Sequence, residues 1–277
     1  MRRTLVSSLA AALVLGLAVA ALAGGDVAQV LHDQYRAGKP IPLPSKQMKN
    51  LDLETAYKVQ AAFVNKLKAH GDRVAGYKAG LTSAPAQKKF KAPGPASGVL
   101  LASMVEKDGV VEADLFTKMM LEVEIGYRFG KDITAPVTAR SVRKYVAAVM
   151  PAVEVPDLAF ATFKGLTFED IVAANVGARA VVLGKALDPA KLDVNRVTGR
   201  LFYNGKPLGP AVPGKAALGD QWKALAWTVN NVLQHGGEVK KGMVIITGSL
   251  GRMYPARPGA YKAVYTGGLG ELAFRVK

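Results

Sequence analysis

From Leu121 to Phe129 the chain alternates. Leu121, Val123, Ile125, Tyr127 and Phe129 are apolar, and Glu122, Glu124, Gly126 and Arg128 fall between them. A period of two predicts a β-strand with one apolar face. A different period governs the segment after Asp52. Leu53, Ala56, Val59, Phe63 and Leu67 recur every three or four residues, which predicts a helix capped by Asp52 and running to about His70. Asp26 to Ala37 reads as an earlier helix. Asp220 predicts another, with Trp222, Leu225, Ala226, Val229, Val232 and Leu233 inward and Gly236 as its terminator. Thr138 predicts a cap for a helix to about Val149. Ala180–Leu183 reads as a buried strand, and Val197–Tyr203 followed by Asn204-Gly205 as a hairpin. The stretch from Tyr261 to Val276 gives two more strands.

Three segments break these patterns in ways that bear on chemistry. In Val74–Ser83, glycines at 76 and 80 flank Lys78 within a strand-like run. Glycine inside a strand marks close approach by a ligand or another backbone, so Lys78 points into a confined site or is a surface lysine. Ser83 then predicts a short helix to about Phe90, and Ala92–Gly98 a loop. In Met150–Asp157, Glu154 is a lone carboxylate in an apolar extended run, costly to bury unless paired. Thr167-Phe168-Glu169-Asp170 predicts a capped helix ending near Asn175-Val176-Gly177. Val244–Gly251 predicts a buried strand running into a glycine-rich turn. The hydroxyls and N–H groups of that turn suit an anion, or form a simple turn.

Composition narrows the class. The chain has 277 residues, 50% of them hydrophobic, enough for a sizeable core in one large domain or two small ones. Met1-Arg2-Arg3, an apolar run from Leu9 to Leu22 and Ala21-Leu22-Ala23 predict a secretory signal peptide cleaved after Ala23. The expected location is the periplasm or the exterior, with no stable membrane anchor after cleavage. The absence of cysteine leaves no disulfides to add stability. Net charge is +16, a field that attracts small organic anions or anionic surfaces. The basic residues are scattered and carry no recognised nucleic-acid motif, so nucleic acid is not an expected partner.

On the predicted strand, Glu122 and Glu124 point the same way, about 7 Å apart. Side by side they are either solvated on an open sheet face or bridged by a hard divalent cation such as Mg²⁺ or Mn²⁺. Glu154 is the natural third oxygen ligand.

Gly76-Tyr77-Lys78-Ala79-Gly80-Leu81-Thr82-Ser83, Glu122-Val123-Glu124, Pro151-Ala152-Val153-Glu154 with Asp157, Asn175, and Thr247-Gly248-Ser249-Leu250-Gly251 follow one another along the chain. That order resembles the 2-keto-4-pentenoate hydratases of the fumarylacetoacetate hydrolase superfamily, with the 4-oxalocrotonate decarboxylases as close relatives. The resemblance runs from about Asp26 to the C-terminus. It implies an α+β fold: a mixed β-roll core, residues 74–277, behind a helical N-terminal part, residues 24–73. After the signal, residues 1–23, the chain is then a single catalytic domain, residues 24–277.

It further implies a homo-oligomer with Mg²⁺ or Mn²⁺ held by Glu122, Glu124 and Glu154, acting on a small anionic 2-oxo acid. By the same resemblance Lys78 shuttles a proton, Asp157 orients Glu154 or the lysine, and Asn175 and Ser249 bind substrate or its attacking water. The chain departs from the family pattern at Ala174, where an aspartate is usual, at Val176, Gly177 and Arg179, and at Arg252, where a proline is common. From these exchanges Arg179 or Arg252 is expected to pair with a substrate carboxylate. His32, His70 and His235 lie outside the motifs, which argues against the His–Glu pair of the hydrolase branch. The expected reaction is hydration of a 2-hydroxy-2,4-dienoate. Decarboxylation or tautomerisation on the same scaffold, and a secreted non-catalytic binder of organic anions, are the alternatives.

Overall fold

A computed structural model describes residues 25–277. The predicted signal peptide lies outside the described residues. The helical part begins with α1, residues 25–37, followed by α2 (Pro44–Gln47) and α3 (Leu53–Lys68), and the short α4 (Ala84–Phe90) comes later, capped by Ser83. α3 starts where the pattern places it, because the Asp52 carboxylate accepts from the Thr55 N–H at 2.8 Å. Its apolar stripe packs on α5 (Phe168–Ala173) and on Phe160, forming one core with Leu31 of α1. Thr167 and Asp170 form the capping box at the start of α5. The buried Asp170 carboxylate also accepts from the Ser45 N–H and hydroxyl, at 2.7 and 2.9 Å, and so fastens α2 to α5.

Two mixed sheets make up the rest. The larger runs β2 (Ala96–Leu101), β1 (Val74–Gly80), β11 (Val244–Ile246), β5 (Met120–Phe129), β6 (Val146–Val155), β7 (Ala180–Leu183) and β3 (Val105–Glu106), with β12 (Tyr254–Pro255) also paired to β5. The smaller runs β10 (Val212–Pro213), β8 (Thr198–Tyr203), β13 (Gly259–Tyr265), β14 (Gly270–Val276) and β4 (Val110–Val111), with β9 (Lys206–Pro207) beside β8. The fold is α+β. β5 carries its predicted apolar face into the main core, where Val123, Ile125 and Tyr127 share a cluster with Leu201, Ala263 and Phe274 of the smaller sheet. α6 (Gln221–Gln234) closes this core with Trp222, Leu225 and Val229.

Two expectations need correction. Thr138 caps no helix to Val149. Its hydroxyl accepts from the Ser141 N–H at 3.1 Å, but only a short 3₁₀ turn, Val142–Tyr145, follows before β6 begins. Residues 146–150 pair with β5 instead, Met150 opposite Gly126 and Val149 opposite Tyr127. Burial between strands outweighs the helical preference of Ala147, Ala148 and Met150. The loop expected through Gly98 ends earlier, because Ser97 and Gly98 already pair with Ala79 and Lys78 of β1.

Candidate active site

β5 and β6 run antiparallel with Glu122 directly opposite Glu154, and Glu124 opposite Ala152. Like charges in direct cross-strand register destabilise a sheet unless something positive lies between them. One carboxylate oxygen from each of Glu122, Glu124 and Glu154 lies within 4.8 Å of the others. Glu124 and Glu154 are both 0% exposed, so the acidic face of β5 is not a solvated sheet face.

Lys78 arrives on the same face from two strands away, across β11. β1 pairs parallel with β11, which pairs with β5, so Lys78, Ile246 and Gly126 stand in one cross-strand row. Lys78 is 2% exposed. Its Nζ lies 2.9 Å from Glu154 Oε1 and donates to the Val176 carbonyl at 3.0 Å. Glycines make room for it, as the run around Gly80 suggests. A Cβ at Gly80 would stand 2.5 Å from Val176 Cγ1, and one at Gly98 would stand 2.6 Å from the Asn175 carbonyl oxygen. Val176 holds φ of +54°, a left-handed conformation that a β-branched residue rarely adopts. That turn aims its carbonyl at the lysine.

The charges of this group do not balance by themselves. Three carboxylates face one ammonium, and Glu124 Oε1 and Glu154 Oε2 are buried without a hydrogen-bond donor. Burial, then the charges of Glu154 and Glu122, pushes Glu124 well above the usual carboxylate range. Burial and Glu154 push Glu122 up to about 7, against the pull of Lys78 and of the neighbouring Ser249 hydroxyl. Burial works against the Lys78 ammonium, but Glu154, Glu122 and Glu124 together hold it above its ordinary value. Acceptor-only oxygens, buried and converging, form the donor set of a hard divalent cation. The residues present fit such an ion.

The glycine-rich turn does hold an anion through an N–H, and the anion is the protein's own. The Gly248 N–H donates to Glu124 Oε2 at 2.8 Å, while the Thr247 hydroxyl donates to Gln221 Oε1 at 2.6 Å. Ser249 lies beside Glu122, and its hydroxyl donates to the Gly251 carbonyl at 3.0 Å. The carboxylate cluster opens onto a cavity of about 450 Å³, lined at one end by Lys78, Glu122, Ser249 and Thr82 and at its mouth by Arg252.

Three expected residues do other work. Asp157 orients neither Glu154 nor Lys78, because its carboxylate accepts from the N–H groups of Thr117 and Lys118 at 2.9 and 2.6 Å. It fastens the segment before β5 to the end of β6. Asn175 is buried with its amide paired both ways to the Val99 main chain, at 2.7 and 2.9 Å. It shapes the turn that carries the Val176 carbonyl and does not line the cavity. Arg179 is turned away, stacked 3.7 Å over the Tyr35 ring. Among the described residues none of the three histidines lines the cavity, and His235 instead stacks on Tyr57.

Two contributors had no sequence signal. The buried Tyr265 hydroxyl reaches across from the smaller sheet to the carbonyl oxygens of Glu124 and Ala152, at 2.9 and 2.6 Å. The Val176 carbonyl was equally invisible, since a main-chain acceptor has no letter in the sequence.

No family model matches the chain. Curated relatives do. It is 31% identical over 236 residues to the 2-hydroxyhexa-2,4-dienoate hydratase of Comamonas testosteroni, covering 83% of this chain and 89% of that one. It is 29% identical over 250 residues to a 2-keto-4-pentenoate hydratase of Paraburkholderia xenovorans strain LB400, covering 89% and 92%. Among solved structures, the 4-oxalocrotonate decarboxylase of Pseudomonas putida G7, complexed with magnesium and adipate, superposes with a TM-score of 0.86 at 23% identity, covering 92% and 97%.

Proposed function

Because the chain belongs to the 2-keto-4-pentenoate hydratase family, we propose that it is a divalent-metal-dependent hydro-lyase. Its reaction adds water to a 2-hydroxy-2,4-dienoate to give a 4-hydroxy-2-oxo acid. The observation that carries the metal is the pair of buried orphan oxygens on Glu124 and Glu154, within a cluster of three carboxylates. Glu122, Glu124 and Glu154 would hold Mg²⁺ or Mn²⁺. When bound, the ion would supply Lewis-acid polarisation of the 2-oxo acid.

The chain's own groups do the rest. An ammonium has three N–H donors. Lys78 donates to the Val176 carbonyl, pairs with Glu154 at 2.9 Å and lines the cavity, so a donor remains for a ligand there. Tautomerisation places a proton at C5 as the enol hydroxyl proton leaves. Addition then puts the water oxygen on C4 and a proton on C3. Lys78 is the proton carrier within reach. A neighbouring divalent cation lowers its pKa by repulsion, which moves it toward acid–base work at neutral pH. Ser249, next to Glu122, binds the substrate or its water, and Arg252 at the mouth draws in the anionic acid.

The test is loss of the dienol ultraviolet band on addition of Mg²⁺, with product analysis. Uptake of water without release of CO₂ is expected. Release of CO₂ would make the enzyme a decarboxylase, and a product that keeps the substrate's mass a tautomerase. Saturable binding of the dienol with no change in it would make the protein a non-catalytic binder.

We also propose export to the periplasm or exterior, on the predicted signal over residues 1–23, and assembly as a homo-oligomer. Fractionation that leaves the mature chain in the cytosol would overturn the first. A monomeric mass in light scattering would overturn the second.

A further inference from the structure

The cavity is much larger than a five-carbon acid requires. Its volume of about 450 Å³ falls within the range of about 300–1,000 Å³ that suits ligands of drug size. Its two ends differ in chemistry. Beyond the carboxylates and Lys78 the lining is an apolar wall, from Met120, which shares the face of Glu122 on β5, to Phe90, Leu158, Phe160, Leu166 and Ile171. Much of it comes from one loop, residues 158–166, between β6 and α5. Phe163 in that loop also lines the cavity. At 45% exposed it is one of two large hydrophobic side chains strongly exposed among the described residues. It packs edge-on against Phe160, with ring centroids 6.4 Å apart.

One cation touches this wall from its exposed edge: Lys118 Nζ lies 4.4 Å over the Phe163 ring. Apart from Lys78, the cations lining the cavity are Lys89 and Arg252, both exposed. Arg252 lies over the Tyr254 ring and donates to the Leu208 carbonyl at 3.4 Å. Arg179, the other candidate partner for a distal carboxylate, stacks on Tyr35 outside the cavity. A tail laid along this wall gains by burying apolar surface. A tail ending in a carboxylate forgoes that apolar contact and meets cations only at the exposed edge, at Lys118, Lys89 or Arg252, where solvent screens the pairing.

We infer that the site takes 2-oxo acids, and the corresponding dienols, whose far end carries an apolar alkyl or aryl tail, in preference both to the unsubstituted five-carbon acid and to dicarboxylates. This rests on the metal-bound 2-oxo acid head proposed above, with the tail along Met120, Phe160, Phe163 and Leu166.

The experiment is calorimetry on the Mg²⁺-loaded full chain with 2-oxopentanoate, 2-oxooctanoate and 2-oxooctanedioate. The expected result is a Kd for 2-oxooctanoate about tenfold or more below that for 2-oxopentanoate, with no such gain for the diacid. Equal Kd values, or tighter binding of the diacid, overturn the inference. Phe163 is exposed, so Phe163→Ser leaves folding intact. It should shrink the octanoate-to-pentanoate ratio by about threefold or more, and an unchanged ratio removes the wall from the assignment. The two readings fail separately. Hydration of the short dienol without a tail preference sinks only the tail inference. A tail preference in binding without any hydration sinks only the hydratase.

Discussion

At their centres the two faces of β5 are both fully buried, for opposite reasons. Ile125 and Glu124 are neighbours and both are 0% exposed. Ile125 faces the smaller sheet, where removal from water is itself the driving force. Glu124 faces Glu122, Glu154 and Lys78, where removal from water opposes folding unless a cation or a proton compensates. One strand therefore carries a face that stabilises the fold and a face that the fold must support. The second is where the proposed metal site lies.

Exchanging one ligand carboxylate for an amide should break this contrast most sharply. Glu154→Gln or Glu124→Gln is expected to lower kcat/KM by about a hundredfold to a thousandfold, because metal polarisation is worth several kcal/mol. Glu124→Gln should leave the metal-free protein as stable as the wild type or more so, because Glu124 Oε1 has no donor and its carboxyl is crowded by Glu122 and Glu154, whereas Glu154→Gln should destabilise it by taking from the buried Lys78 its partner at 2.9 Å. Calorimetric metal titration beside thermal unfolding in chelator checks both. Unchanged metal affinity would remove the foundation of the site.

Ile125→Ala should do the reverse. A loss of about 2–5 kcal/mol of stability is expected, equal with and without Mg²⁺, read by denaturant unfolding. A loss that disappears when metal is added would mean that the two faces are not independent.

The pH dependence of the metal-free protein sharpens the comparison. Glu122 and Glu124 hold protons in the folded state that the unfolded chain releases near the ordinary value of 4.5. Between about 4.5 and 7 the native state therefore binds more protons than the unfolded one, so stability falls as pH rises. The stabilisation from these two groups is complete below the unfolded value and is lost as pH rises through about 7 and beyond. His235, held below its ordinary value by burial, acts in the opposite sense below about pH 6.5. The clean reading is thus the difference between the wild type and Glu124→Gln. The Mg²⁺-induced rise in Tm should grow from pH 5 to pH 8, because metal and protons compete for the same oxygens.

The smallest expected effect is that of Tyr265→Phe. It leaves the packing in place and removes the hydroxyl that joins the carbonyl oxygens of Glu124 and Ala152. A loss of about 1 kcal/mol of stability is expected, with a weakening of metal affinity of about tenfold. Stability loss without any change in metal affinity would confine Tyr265 to the apolar face.

Much of this was legible along the chain, and for identifiable reasons. The alternation at 121–129, the Asp52 and Thr167 caps and the Asn204-Gly205 turn are local preferences, and the structure keeps them. Glu154 was legible because a carboxylate in an apolar run needs a partner. The helix expected from Thr138 was not kept, because strand pairing to β5 is a long-range contact that local propensity does not encode. Asp157 and Asn175 were misjudged for a related reason. A polar side chain that satisfies main-chain groups and one that faces a substrate look identical in sequence.

The sequence by itself determined most of the elements, the two like charges of Glu122 and Glu124 on one face, and the kind of ion that could reconcile them. These follow from periodicity and charge, which are properties of neighbours along the chain. Only the tertiary structure decided that Glu122 stands opposite Glu154, that Lys78 reaches them across β11, and that a strained Val176 carbonyl holds the lysine in place. It also decided that the cavity beyond them is apolar. Register and packing are set by contacts between segments far apart in the chain, and those contacts decide which buried groups find a partner and which are left for a ligand.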